Sequence, residues 1–391
     1  MRHSICVVTG SRADYGLLRP LLLRLAADDE IEFRLVVTGS HLIGGFGNTQ
    51  DEIKNDGFDV SFRIPINLKN DSDTAIAGAT GQALSAFADY FSNSRPELLV
   101  ILGDRYEIFA AASAALILNI DIAHISGGDV TEGVLDDTFR HCITKMSTLH
   151  FAGCEQSAKR IIQLGESPDR VFNVGELGVE NCLNLPKMSI DDLQKSLGFR
   201  LDDKPYGMVT FHPLNIAIGD IQYQIYELIS ALEAFPDMGF IITGANADAG
   251  GSTINKIWNE SAEKHPNWLV TSSLGVERYI SAMKYAKLVI GNSSSGIIEA
   301  PALKIPTVNI GDRQKGRMMA DSVICCEPIA KDIISSMKRA LSPEFKAITA
   351  EVINPFGDGH TSEKIFNVIK RHLFGAVFGT KKKFYDVSVV I

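Results

Sequence analysis

Three arginines stand at comparable places in this chain. Arg12, Arg105 and Arg313 each follow a short apolar run and a glycine, in Gly10-Ser11-Arg12, Gly103-Asp104-Arg105 and Gly311-Asp312-Arg313. A guanidinium offers a planar fork of donors matched to phosphate oxygens. One such residue reads as surface charge; three at equivalent turns read as an anion grip. Gly291-Asn292-Ser293-Ser294-Ser295-Gly296 adds hydroxyls and backbone N–H groups where an apolar run opens into a helix. Such a terminus favours phosphate, and it also reads as an ordinary serine cap. Glu299 falls one to two turns into that helix. A carboxylate there could accept both hydroxyls of a vicinal diol, as on ribose, or lie on a solvated face. His212, held extended by Pro213, and Asn246 in the turn 246–250 complete this polar set.

The first half carries the acids: Asp14, Asp104, Asp129, Asp136 and Asp137, with His41 and His124 near the ends of apolar runs. Acids gathered in a cleft suit general acid–base chemistry, although each alone also reads as surface. There is no Gly-x-Ser-x-Gly, no His-Glu-x-x-His and no metal-ligand spacing of His and Cys, so serine-hydrolase and zinc-hydrolase mechanisms are disfavoured. NAD and P-loop ATP readings also lack their glycine signatures.

The elements that must position these residues alternate regularly. Short β-branched runs at Ile5–Val8, Phe33–Val37, Leu98–Leu102, Ile122–Ile125 and His150–Ala152 end in polar, glycine-containing turns. After the first turn, Leu17, Leu18, Leu21, Leu22 and Leu25 share one helical face. Pro20 is tolerated near a helix start, which predicts that this helix begins between Asp14 and Gly16. The segment 184–206, with Pro186, Pro205 and one short helix capped by Ser189, reads as a passage into a second domain. The pattern resumes at Met208–Phe211, Phe240–Thr243, Leu269–Val270, Leu288–Ile290 and Thr307–Ile310. Continuous apolar strands alternating with helices predict parallel sheets covered on both faces. The expected class is therefore α/β, as two Rossmann-like domains. Residues 1–183 form the first, rejoined by 366–391, and residues 184–365 form the second. Ligands of such sheets bind at the carboxyl ends of the strands, so one ligand in a cleft between the two halves is expected.

Composition narrows the classes further. With 391 residues, 45% hydrophobic and 22% charged, the chain has enough apolar material for two cores. A net charge of −9 gives no general pull on nucleic acid or anionic lipid. No apolar run reaches the roughly 20 residues of a membrane span, and Met1–Ser4 leads into a strand without a signal-peptide core. Six cysteines with no Cys-x-x-Cys predict reduced, mostly buried thiols and a cytoplasmic location.

Eight motifs, in order from residue 4 to residue 365, resemble one known family. They are Gly10-Ser-Arg-Ala-Asp-Tyr-Gly16, Gly39-Ser-His-Leu42 with Gly47-Asn-Thr49, Gly103-Asp-Arg-Tyr-Glu107, His124-Ile-Ser-Gly-Gly-Asp129, Arg140-His141-x-Ile-Thr-Lys145, Asn246-Ala-Asp-Ala-Gly250, Gly291–Gly296, and Gly311-Asp-Arg-Gln-Lys-Gly-Arg317. Together they look like the hydrolysing UDP-N-acetylglucosamine 2-epimerases of bacterial sialic acid or legionaminic acid biosynthesis. That resemblance implies the two-domain GT-B fold and the reaction UDP-N-acetylglucosamine plus water to N-acetylmannosamine plus UDP, through a 2-acetamidoglycal, with no cofactor and no metal. It assigns Arg12, Gly16, Arg105, His212, Asn246, Leu274, Ser293, Ser294, Glu299 and Arg313 to UDP. It assigns Asp104, Asp129 and Asp136 to catalysis, with Asp137, His41 and His124 as further candidates. It implies a homodimer or homotetramer. Non-hydrolysing relatives carry glutamate two residues after the His124 position, where this chain has Ser126, so the base at carbon 2 stays open. Also open are the same chemistry on a UDP-linked 2,4-diacetamido-6-deoxy sugar, an epimerase that retains UDP, a non-catalytic nucleotide-sugar sensor and a GT-B glycosyltransferase.

Overall fold

The computed structural model describes residues 2–42, 49–67, 72–131, 135–201, 204–213, 218–245, 251–375 and 382–388. The chain forms two compact units. One comprises Met1–Asp129, Leu135–Glu180 and Phe356–Ile391; the other comprises Val130–Val134 and Asn181–Pro355.

The first unit is built on seven parallel strands: β1 (His3–Thr9), β2 (Ile31–Val37), β3 (Val60–Arg63), β4 (Leu98–Leu102), β5 (Asp121–Ile125), β6 (Leu149–Ala152) and β7 (Val171–Asn173). Their order is β3-β2-β1-β4-β5-β6-β7. The second unit holds six: β8 (Tyr206–Thr210), β9 (Gly239–Thr243), β10 (Trp268–Thr271), β11 (Leu288–Gly291), β12 (Thr307–Ile310) and β13 (Val323–Cys326), in the order β10-β9-β8-β11-β12-β13. Both sheets are doubly wound, and their strand order reverses beside β1 and beside β8, where ligands of open α/β sheets bind. Every residue of β4 and β8 is buried, as strands covered on both faces require.

On one face of the first sheet, Leu18, Leu21, Leu22 and Leu25 pack with Ile365, Val368 and Ile369 of helix Thr361–Phe374. On the other, Ala79, Ala83, Ala110, Ala111 and Ala114 let helices Asp73–Asn93 and Tyr106–Ile117 lie close. Trp258, Phe240 and Trp268 anchor the second core.

The structure corrects three expectations. The first helix spans Arg12–Ala26, capped by Ser11, with Pro20 in its interior. Burial of its leucine face outweighs the roughly 3 kcal/mol that an interior proline costs. Strands β3, β7 and β13 escape the sequence pattern because they are short and lie at or beside sheet edges, where only part of each strand is covered. Of the six free thiols, Cys6, Cys154 and Cys182 are buried, whereas Cys142 and Cys325 are exposed. No described helix is long and apolar enough to cross a membrane.

A buried charge fastens the segment 382–388 to the first unit. Glu166 is fully buried and accepts from His150 Nε2 (3.0 Å), Lys145 Nζ (2.5 Å) and Lys382 Nζ (2.8 Å). Burial alone would raise this carboxyl, but the three donors outweigh it and hold its pKa at about 2. Lys382 also donates to the carbonyls of Lys145 and Ser147. The folded carboxyl therefore binds fewer protons than the unfolded one, whose ordinary value is 4.5. Its contribution to stability is complete above that value and is lost as pH falls towards 2. Lys382→Met should cost about 2 kcal/mol, below the roughly 3–5 of a buried charge left with no partner, because two donors remain. Urea titrations at pH 7 and pH 3 check this: the gap between parent and variant should narrow at the lower pH.

Candidate active site

In the first unit the candidate residues gather at the carboxyl ends of β1, β2, β4, β5, β6 and β7. Arg140, on helix Leu135–Met146, is a buried charge at this edge, only 4% exposed. Its Nε donates to Asp104 Oδ2 (2.7 Å) and its Nη2 contacts the same oxygen. Its Nη1 donates to the Asp129 carbonyl (3.0 Å) and reaches Asp137 Oδ1 (3.5 Å). One guanidinium thus ties the turn after β4 to the turn after β5. The Asp129 carboxylate accepts from Ser157 Oγ at 2.6 Å. Asp136 lies in the first turn of the same helix and is exposed.

His124 lies beneath this edge. Its Nε2 donates to the Gly103 carbonyl (2.8 Å), and Nδ1 faces Thr144 Oγ1 (3.3 Å). Burial holds its pKa down at about 3, so the ring is neutral and shapes the Gly103 turn, whose φ of +78° suits glycine. His41 is also buried, with Nε2 3.1 Å from Thr9 Oγ1, and burial lowers it to about 4.

Glu107 joins three turns. It is fully buried and accepts from Arg105 Nε at 2.6 Å. A Cβ at Gly10 would overlap its Oε1, and one at Gly39 would stand 2.8 Å from it. Among the described residues Glu107 Oε2 and Asp14 Oδ2 are buried with no hydrogen-bond partner. Burial raises the Asp14 carboxyl to about 6; Arg105 opposes this and Glu107 reinforces it. Arg12 opens the first helix and pairs with Glu52 at 2.7 Å; Gly16 is buried one turn further on.

In the second unit the edge is organised by Asn292. Its Oδ1 accepts from the His212 N–H (2.7 Å) and its Nδ2 donates to the His212 carbonyl (2.9 Å). Its own carbonyl accepts from Arg313 Nη1 (3.1 Å) and Gln314 Nε2 (2.8 Å). Burial, followed by Arg313, lowers His212 to about 3. At Gly291, φ is +131° and a Cβ would strike the Thr210 backbone, so the loop after β11 can lie on β8.

Ser293 caps the short helix Ser294–Ile298. Glu299, one to two turns along, is its C-cap, because Pro301 cannot continue the α-helical ladder and the chain turns into a 3₁₀ segment. Desolvation raises the Glu299 carboxyl, and a hydrogen bond from Ser295 opposes the rise. Ser295 Oγ in turn accepts from Tyr279 OH (2.8 Å). Leu274 is buried, and its carbonyl accepts from Arg278 Nε. Asn246 and its turn lie outside the described residues.

Sequence reasoning left out Arg140, Glu107, Asn292 and Glu176. The first three lie inside motifs that were already conspicuous, so their positions were marked but not their partners. Glu176 follows β7, itself too short to be seen; it accepts from Ser126 Oγ at 2.7 Å.

The model of the UDP-N-acetylglucosamine 2-epimerase family matches residues 23–370, and the chain belongs to that family. It is 40% identical to the GDP/UDP-N,N'-diacetylbacillosamine 2-epimerase (hydrolyzing) of Campylobacter jejuni, over 88% of this chain and 89% of that one. It is also 40% identical to the polysialic acid biosynthesis protein P7 of Escherichia coli, over 98% and 97%. Among solved structures, a Methanocaldococcus jannaschii UDP-GlcNAc 2-epimerase in complex with UDP-GlcNAc and UDP shares the fold, with a TM-score of 0.77 at 16% identity over 94% and 99%. The two doubly wound units are thus of the GT-B type.

Arg140→Lys cannot reproduce the fork that spans Asp104, Asp129 and Asp137. The variant should lose about 2–3 kcal/mol in urea unfolding, approaching the cost of breaking a buried ion pair.

Proposed function

We propose that this chain is a hydrolysing 2-epimerase of a UDP-linked 2-acetamido sugar, with UDP-N-acetylglucosamine as substrate and N-acetylmannosamine and UDP as products. Family membership supports the class of reaction. The observation that carries the reading is the gathering of carboxylates on strand-end turns of the first unit and of guanidinium, imidazole and hydroxyl groups on strand-end turns of the second.

In this reading Arg313, His212, Ser293 and Ser294 hold the pyrophosphate, and Glu299 takes the ribose hydroxyls. The uracil lies against the Leu274 backbone, with Arg12, Gly16, Arg105 and Asn246 completing the UDP set. Developing charge on the leaving UDP is met by these prearranged donors. A carboxylate among Asp104, Asp129 and Asp136 removes the carbon-2 proton as the bond from carbon 1 to the UDP oxygen breaks. This leaves a 2-acetamidoglycal. Water then adds its oxygen to carbon 1, while carbon 2 receives a proton on the opposite face.

A second substrate has direct support. The Campylobacter jejuni relative is named for N,N'-diacetylbacillosamine, a 2,4-diacetamido-6-deoxy sugar. Grip on UDP does not distinguish the two sugars, since they differ at carbons 4 and 6.

The deciding experiment incubates the protein with each UDP-sugar in deuterated water and follows proton NMR. The substrate should yield free UDP and an inverted sugar with deuterium at carbon 2. Recovery of both UDP-sugars unchanged would overturn the reading, and a UDP-linked epimer would replace it with a UDP-retaining one. Arg313→Ala should weaken UDP binding by about 1.5–3 kcal/mol, as for a lost charge-assisted hydrogen bond. Asp104→Asn should keep UDP affinity in calorimetry while turnover falls at least about a hundredfold.

A further inference from the structure

Inversion at carbon 2 requires proton transfer at both faces of the sugar. The proton leaves one face of the sugar and its replacement arrives on the other. A carboxylate fixed on one strand-end turn reaches one face of a ring that does not turn over. A second proton-handling group is needed.

The turns after β5, β6 and β7 hold a group that the reading above leaves unused. Ser126 has φ +62°, a conformation that residues with a Cβ rarely adopt. Its N–H is pinned to the Phe151 carbonyl at 2.9 Å. Its Oγ donates to Glu176 Oε2 at 2.7 Å. Glu176 comes from the turn after β7 and is only 8% exposed; its N–H is pinned to the Phe356 carbonyl at 2.7 Å. Between them stands Gly153, after β6, where any Cβ would overlap Glu176 Oε1. Three separate backbone features therefore bring a carboxylate from two strands away onto one hydroxyl: left-handed geometry at 126, glycine at 153 and a main-chain anchor at 176. An incidental surface contact needs none of them. Ser126 directly follows β5, beside β4, which Asp104 follows, and adjacent strands lie about 5 Å apart, close to the width of a sugar ring.

We infer that Ser126 and Glu176 handle the proton of the hydration step, with Ser126 facing the sugar and Glu176 as the positioning residue behind it. This rests on the hydrolysing reading. Protonated Glu176 passes its proton to Ser126 Oγ as the Ser126 proton moves to carbon 2 of the glycal. The water oxygen bonds to carbon 1, and the proton it sheds restores Glu176. The proton first taken from carbon 2 passes to solvent. Nothing is oxidised or reduced.

The test compares the full-length parent with Glu176→Gln, Ser126→Gly and the double variant. Glutamine keeps the shape and the acceptor but cannot supply a proton. Glycine accepts the left-handed turn, so the fold is spared. UDP release, the proton NMR spectrum of the product, UDP affinity and thermal melting are measured on each. Both single variants should bind UDP and melt as the parent does. They should still release UDP, but with the 2-acetamidoglycal as product and the hydrated sugar formed at least about thirtyfold more slowly, within the range of general acid–base effects. The double variant should be no worse than either single one, as expected of residues that act as a unit. An active parent with both variants making hydrated sugar at its rate overturns this inference alone. So does loss of UDP release itself, or loss of turnover in step with UDP affinity and melting. A parent that releases no UDP from either UDP-sugar overturns the hydrolysing reading, and this inference with it.

Discussion

All strands in each sheet run the same way, and that constraint organises everything else. A parallel strand cannot be joined to its neighbour by a tight turn; the chain must cross back over a face of the sheet before the next strand begins. Every connection that leaves a carboxyl end therefore emerges along one edge. Asp104, the pair Ser126 and Asp129, Gly153 and Glu176 are separated in the chain but reach that edge in the turns after four consecutive strands. The central strands β4 and β8 are buried throughout and carry no charge, so the polar groups gathered here come from the turns that follow the strands. In the second unit the same logic brings His212, Asn292 and Arg313 together from the ends of β8, β11 and β12.

Turns crowded this closely need internal fastening. In the first unit it is ionic: Arg140 ties two turns, and Glu107 sits where three meet. In the second it is neutral: the Asn292 amide brackets one residue, His212, through both its donor and its acceptor. The difference suits the ligand proposed for each edge. An edge that must move protons can hold carboxylates whose charge is already balanced. An edge that must take up phosphate keeps its arginine fastened through a backbone carbonyl, which occupies donors without neutralising the charge. Glycines at 10, 39, 153 and 291 supply the clearance that these fastenings use.

Most of the architecture was legible in the chain because buried parallel strands write themselves as continuous apolar runs. Ten strands were visible in this way, and Leu98–Leu102 and Thr307–Ile310 were legible to the residue. The three that were not, β3, β7 and β13, lie at or beside sheet edges, where half-exposed side chains dilute the apolar signal. Pro20 misled for a related reason: local propensity is a weak force beside the burial of four leucines. At the site, residue types were readable but their roles were not. His124 has the chemistry of a catalytic base, but that its Nε2 meets the Gly103 carbonyl and that burial lowers its pKa to about 3 could be seen only in the structure. Arg140 stands in a visible motif, but nothing local reveals that Asp104 lies opposite. Glu176 was hidden entirely, since its partner is 50 residues away in the chain.

The first unit is interrupted in the chain. Its early part ends at Glu180, and its sheet is covered only when helix Thr361–Phe374 packs Ile365, Val368 and Ile369 against the leucines of the first helix. During synthesis the intervening unit is therefore made before the first can close. At ribosomal speeds of about 5–20 residues per second, the half-covered sheet waits roughly 10–40 s for its last helix. Throughout that time it presents an apolar face, and transiently exposed apolar surface of this kind is prone to aggregation.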